Sequence, residues 1–298
     1  MMSQTKAKDK DQFVVRFPDG MRDKIAEAAK DNNRSMNAEI VARLEDSFMS
    51  SAASRYRWAL AQINDASSVQ TTVSMLAEAI SEQTAELLER VFSGTVFPAF
   101  ELSDRAARYL GVRPAWLKHG EGRPYEVGSI SSYGAKLADE LVREKPKKIV
   151  FLRSMSREGN VAIVVHRHDF VCEVFTTTLN LSDQIGGHGE YDLASFSNTC
   201  RKLRLHYQDV ASVGLLLESE HFIQLIHGQL YPLLAVKLAR PSNWLSDWWD
   251  PSSFERQTTD LDYWDGYREL CKRVYDVTDI VSSLQVERDE IMGSNIPI

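Results

Sequence analysis

The apolar positions of the chain begin in strict alternation. In QFVVRFP (Gln12 to Pro18), Phe13, Val15 and Phe17 fall on one face and Gln12, Val14 and Arg16 on the other, a period of two that predicts a strand. Pro18 ends it and can open a helix. The period then changes. Met21, Ile25, Ala28 and Ala29 recur at helical spacing, DNNRS supplies turn formers, Ser35 is a good N-cap, and Met36, Ile40, Leu44 and Phe48 line a second helix. One isolated strand satisfies neither its backbone nor its apolar face. A strand and two helices in fewer than about 40 residues hold too little core for a monomer. The pattern calls for a second copy whose strand pairs with this one. A two-stranded ribbon with polar outward side chains fits the major groove of DNA.

Helical spacing continues from Ser54 to Val127. Tyr56, Leu60 and Ile63 lead to Val73, Leu76, Ala77 and Ile80, then Leu87, Leu88, Val91 and Phe92, stopped at Ser93–Gly94. Leu102, Ala106, Tyr109 and Leu110 follow and end at Gly111. EKPKK (Glu144 to Lys148) reads as a boundary. Beyond it, apolar runs predict strands near Ile149–Arg153, Val161–His166 and Phe170–Thr176, the last two joined tightly around His168–Asp169 as a hairpin. SDQIGGHGEYD reads as a loop. Leu193, Phe196, Cys200 and Leu203 then keep helix spacing, with Arg201, Lys202 and Arg204 expected outward. A strand at Ser212–Leu217, a short helix at His221–His227 and a strand at Leu233–Leu238 complete an α+β order.

The last pattern is a long helix from Tyr263. Tyr263, Tyr267, Leu270, Val274, Val277, Val281 and Leu284 step by four and three, a heptad seam of about three repeats that Arg288 interrupts before Ile291. Such a seam packs on its own domain or joins two subunits; the dimer already required at the N-terminus favours the second. The expected architecture is multidomain. A dimeric strand-helix-helix unit occupies residues 1–50, an all-α bundle 54–127, an α+β domain 145–250, and a C-terminal helix 255–293.

Composition narrows the function classes. The 298 residues are 43% hydrophobic and 26% charged, ordinary values for a soluble protein. No apolar run approaches the roughly 18 residues of a membrane span, and the polar start MMSQTKAKDKD is not a signal peptide. The three cysteines, Cys172, Cys200 and Cys271, are odd in number and far apart, which points to buried thiols in a reducing cytoplasm. A net charge of −7 argues against a protein that coats nucleic acid along its whole surface. The charge is uneven: twelve acidic against six basic residues from Ala239 onward, but eleven basic against nine acidic from Met1 to Arg57. A local basic site remains open at the end that carries the strand.

The stretch QFVVRFPDGMRDKIAEAAKDNNRSMNAEIVARLEDSF, Gln12 to Phe48, resembles the ribbon-helix-helix family and within it the Arc-type repressors of phages. The resemblance implies an obligate dimer whose paired strands enter the major groove, with Gln12, Val14 and Arg16 at base edges. Arg16 suits guanine and Gln12 adenine, while Val14 departs from the usual polar residue and suits only a thymine methyl. The start of the second helix, Ser35, Met36 and Asn37, would hold a phosphate through backbone N–H groups. The arm Lys6, Lys8 and Lys10 would add phosphate contacts, diluted by Asp9 and Asp11. Arg34, Glu39 and Arg43 match the spacing of the buried Arg–Glu–Arg triad of Arc.

The later run YLGVRPAWLKHGEGRPYEV resembles the closing part of Cro/CI-type helix-turn-helix domains. That resemblance makes SMLAEAI the first helix of the motif and EQTAELLERVFSG its recognition helix, with Gln83, Thr84 and Arg90 as candidates for a second DNA contact. Ser81 stands near the place of the usual turn glycine. Glu82, Glu86 and Glu89 against Arg90 make this helix a poor partner for phosphates, so a reused dimerisation or spacer bundle is the competing reading.

The C-terminal half resembles no family. FLRSMSREG superficially resembles the nucleophile segment of self-cleaving phage repressors. However, Leu152 and Arg153 replace the usual Gly-Asp, and no lysine follows before Lys202 to activate Ser154. His166 and His168 share a strand face, yet no histidine or cysteine has tight metal-ligand spacing. Trp244, Trp248 and Trp249 read either as a packed corner or as a pocket wall. No enzyme activity, cofactor or metal is expected. The expectation is a sequence-specific DNA-binding transcriptional regulator, a repressor of phage or prophage type in a bacterial host's cytoplasm. Its partners would be operator DNA and itself as dimer or tetramer. The alternatives are a regulator whose C-terminal half senses a small molecule or an antirepressor protein, and a partition or antitoxin-like interaction protein.

Overall fold

The structure is a computed structural model, and it describes residues 15–49, 52–242, 244–250 and 263–293. Contacts divide the chain into two compact units, residues 1–50 and 51–298.

In the first unit, α1 (Met21–Asp31) and α2 (Met36–Met49) follow the two helical patterns. Gly20 opens α1 at a φ of 76°, and the turn between the helices passes through Asn33 at a φ of 51°, a conformation asparagine tolerates. Ser35 caps α2: its Oγ accepts from the Ala38 N–H at 3.2 Å. Ile25 and Ala29 are buried. Residues 15–18 form neither helix nor strand within the single chain.

The second unit opens with five helices: α3 (Ala52–Ala66), α4 (Val73–Ala79), α5 (Glu86–Phe92), α6 (Phe100–Leu110) and α7 (Pro114–His119). The closing run of this bundle is explained residue by residue. Leu110, Val112, Trp116 and Leu117 are buried, and Gly111 ends α6 at a φ of 67°. A Cβ on Gly111 would lie 2.7 Å from the carbonyl oxygen of Phe170, so only glycine fits there.

A six-stranded mixed sheet follows: β1 (Gly128–Ile130), β2 (Lys148–Ser154), β3 (Asn160–His168), β4 (Val171–Asn180), β5 (Ala211–Leu217) and β6 (Arg240–Pro241). Its order is β1-β4-β3-β2-β5-β6, with β1 parallel to β4, β2 parallel to β5, and the other neighbours antiparallel. Both faces are covered, so central β2 is buried on both sides and reads as a continuous apolar run. One face, with Ile149, Phe151 and Val165, packs α8 (Ala135–Leu141), α9 (Gly187–His206) and α12 (Trp244–Trp249). Against them lie α13 (Tyr267–Ile280) and α14 (Ser282–Gly293). The other face, with Val150, Leu152 and Val164, packs α10 (Ser219–Ile226) and α11 (Pro232–Leu238).

Three expectations are corrected here. Leu233–Leu238 is helix α11, not a strand: Pro232 opens it at the first helical position, and a short apolar run does not by itself distinguish helix from strand. Arg201 is buried, not outward, because α9 lies between the sheet and α13 and α14; its guanidinium donates to Asn198 Oδ1, and burial lowers its pKa to about 10. The C-terminal helix breaks at Val281, whose backbone is extended, and its seam turns inward. Tyr267, Leu270, Val274 and Leu284 are buried in the core of their own unit; Tyr263, Val277 and Val281 pack against the same core. The oligomerisation seam is therefore consumed by folding.

The helical bundle and the sheet share one seam. Tyr109 and Phe170 pack edge to face at 5.3 Å, the Tyr231 hydroxyl donates to the Phe170 carbonyl at 2.9 Å, and the Tyr125 N–H donates to the Gly228 carbonyl at 3.1 Å.

Candidate nucleic-acid interface

Arg16 is exposed just before α1. Lys6, Lys8, Lys10, Gln12 and Val14 lie outside the described residues. Ser35 and Asn37 are exposed at the start of α2 and Met36 is half-buried beside them. The first backbone N–H groups of a helix have no intrahelical acceptor, and the positive end of the helix dipole favours an anion there.

Behind this helix start, Glu39 gathers the residues expected as a triad. It is only 3% exposed. Its Oε1 accepts from Arg43 Nε at 2.9 Å, and Arg34 Nη1 lies 3.9 Å from its Oε2. Asn32 Nδ2 adds a bond to Oε2 at 3.0 Å, a partner no sequence period signals because it comes from the irregular turn seven residues away. The Arg43 hydrogen bond first, then that of Asn32, hold the Glu39 carboxyl below its ordinary pKa, with burial opposing. The network ties the turn to α2 and so fixes the start of that helix.

The unit also shows an apolar surface that a lone chain does not bury. Val15, Val41 and Leu44 are each more than half exposed, and Met21 is 43% exposed. That is the surface left when half of a small core is missing.

Residues 7–53 match the family described as Arc-like DNA binding domain. Residues 7–53 form an Arc-like DNA-binding domain. Over 43 residues the chain is 60% identical to the transcription factor AmrZ of Pseudomonas ogarae, a stretch covering 14% of this chain and 40% of that protein. The chain thus spans about two fifths of the length of the curated relative it matches. No solved structure matches the chain.

The segment that resembles a helix-turn-helix domain, residues 54–127, comes next. Here α4 is capped by Thr72, whose Oγ1 accepts from the Met75 N–H at 3.2 Å. Ser81 takes a φ of 63°, the left-handed conformation that the turn needs and that glycine usually supplies. The second helix starts at Glu86, later than the sequence pattern suggests, so Gln83 and Thr84 are exposed in the loop before it. Glu82 is bound by Arg105. Arg90 is exposed in the last turn of α5, with Glu86 and Glu89 exposed on the same short helix. Gln83, Thr84 and Arg90 are thus all exposed, the first two in the loop and the third on α5.

Elsewhere the chemistry is sparse. Among the described residues no group of three or more His, Cys, Asp or Glu side chains is placed to hold a metal, and no helix is long and apolar enough to cross a membrane. His166 Nε2 bonds the Asp169 carbonyl at 2.8 Å. Ser154 Oγ lies 3.5 Å from Ser219 Oγ and accepts the Ser156 N–H. Trp244 and Trp248 are fully buried against each other at 6.3 Å, a packed corner.

Proposed function

We propose that the protein is a sequence-specific DNA-binding transcriptional regulator, a repressor of phage or prophage type. Two Arc-like domains pair their strands into a ribbon that enters the operator major groove. Gln12, Val14 and Arg16 face the bases, and the start of α2 at Ser35, Met36 and Asn37 meets a phosphate, with Lys6, Lys8 and Lys10 adding charge. The observation that carries this reading is the family match over residues 7–53 on a unit whose lone copy leaves Val15, Met21, Val41 and Leu44 exposed. The test is operator selection from random duplexes, with and without Arg16→Ala. The variant should lose about 1–3 kcal/mol and relax preference at one base pair. Undiminished binding would remove Arg16 and the ribbon as the reader.

Operator reading is assigned to the ribbon alone. On α5, two exposed carboxylates stand beside Arg90, and carboxylates facing phosphates repel. Arg90→Glu should leave operator affinity unchanged; a salt-sensitive loss would make the second segment a DNA contact.

A second reading adds an effector. Residues 51–298 form a folded unit with a core on each face of its sheet, far more than a minimal DNA reader needs. In this reading the C-terminal half binds a small molecule or an antirepressor protein that controls release from the operator.

A further inference from the structure

We propose that the C-terminal half binds a small uncharged molecule with one apolar face and an opposite edge of hydroxyl or amide groups. The site is a cleft of about 290 Å³ between α10 and one end of the sheet, just below the range for drug-sized ligand pockets and so suited to a smaller molecule.

The register of three strands makes this cleft two-sided. On the sheet face turned to α10, the row Val150, Val164 and Val174 is aliphatic and buried. The next row is Leu152, Ala162 and Thr176. One step further, β2 ends in Ser154 and β3 begins at Asn160. The sheet turns polar at the level where the cleft opens, and Ser154, Asn160 and Thr176 all line it. Across the gap α10 begins with Ser219, whose hydroxyl lies 3.5 Å from that of Ser154, and then presents the apolar Phe222, Ile223 and Ile226 to the same space.

Two local features accompany the change. Between the pairs Asn160–Asn180 and Ala162–Thr176, β4 carries three residues opposite Val161 alone. Such a bulge bends a strand away from its partner and is enriched beside functional sites. Ser156 also lines the cleft, and its Oγ is buried with no hydrogen-bond partner in the protein. Buried hydroxyls are ordinarily paired, and a small rotation of the Ser156 side chain would let a polar ligand edge supply that pair.

Charge sets the ligand class. Glu158 is the one charged residue lining the cleft, and it is exposed. An anion would meet repulsion and no lysine, arginine or histidine. A cation would gain little from one solvated carboxylate. Hydroxyls and an aliphatic wall, with a single exposed carboxylate, favour binding over catalysis.

The inference rests on the effector reading only for its consequence at the operator; binding itself is measured without DNA. The full-length protein is titrated with cyclohexanediol, and with cyclohexanecarboxylate and cyclohexylamine as charged counterparts, by saturation-transfer NMR at millimolar concentrations. The diol should bind, and the carboxylate should bind at least about tenfold more weakly. Ile223→Glu, at a position 53% exposed and therefore tolerant of charge, should abolish the diol signal. Ser156→Ala should weaken it about tenfold while leaving the unfolding midpoint unchanged or higher. The proposal is overturned if wild type ignores the diol, if either charged counterpart binds as well as the diol, or if both variants retain it. A failed probe leaves the ribbon reading standing, and a failed operator experiment leaves the cleft standing.

Discussion

Ser81 holds a backbone conformation that costs a side-chain-bearing residue about 1–2 kcal/mol. Ser81→Gly should relieve it, less the entropy glycine brings to the unfolded chain, for a net gain of about 0.5–1 kcal/mol. Urea unfolding of the variant checks this, and a lower midpoint would contradict it. Glu39 carries a different residue-scale consequence. Its carboxyl is held below its ordinary value, chiefly by Arg43. The stability it contributes is therefore present above the unfolded value of about 4.3 and is lost as pH falls through the folded value. Melting curves recorded downward from neutral pH should show this loss in wild type, and Glu39→Gln should be less stable at neutral pH and lack that part of the pH dependence. An unchanged profile would mean the network does not support the Arc-like domain. Glu39, Arg34 and Arg43 were legible in the sequence through the resemblance to the Arc-type repressors, whose triad spacing they match; Glu39 and Arg43 are in addition i and i+4 partners on α2. Asn32 was not, because an irregular turn has no period.

Elements were legible in proportion to how far one face decided their composition. β3 and β4 carry dense β-branched runs, and the structure has strands where those runs stand; β2 and β5 are shorter apolar runs that the sheet also took as strands. The run Leu233 to Leu238 carries no such bias, and the covered sheet face took it as a helix. Arg201 misled for a related reason: α9 is buried on more than one side, so its polar residues could not be assigned outward by period alone. The heptad seam of α13 is a true apolar stripe whose partner the sequence could not name; the partner is α9. Leu270→Ala, at a fully buried position, should therefore cost about 2–5 kcal/mol and leave the oligomeric state unchanged by light scattering. Dissociation without loss of stability would return the seam to the subunit interface.

At the scale of the whole molecule, the two compact units should unfold separately. The midpoint of the Arc-like domain should rise with protein concentration, because a dimer's stability contains its concentration. Calorimetry over a wide dilution series checks this, and a concentration-independent first transition would contradict the dimer. Operator affinity should fall linearly on a log–log plot against salt, with a slope of about −0.9 per phosphate neutralised.

The seam that joins Tyr109 to Phe170 and Tyr231 to the Phe170 carbonyl bears on what can be exchanged between proteins. A helix-turn-helix segment that folded alone could be cut out, transplanted or lost. This one shares side chains with a β-hairpin some 60 residues away in the chain, so a graft ending near residue 127 would strip the hairpin of its cover. Residues 1–50 form a compact unit of their own contacts. Beyond it, a segment cut at residue 127 would leave Phe170 without Tyr109, so residues on both sides of that cut would have to travel together.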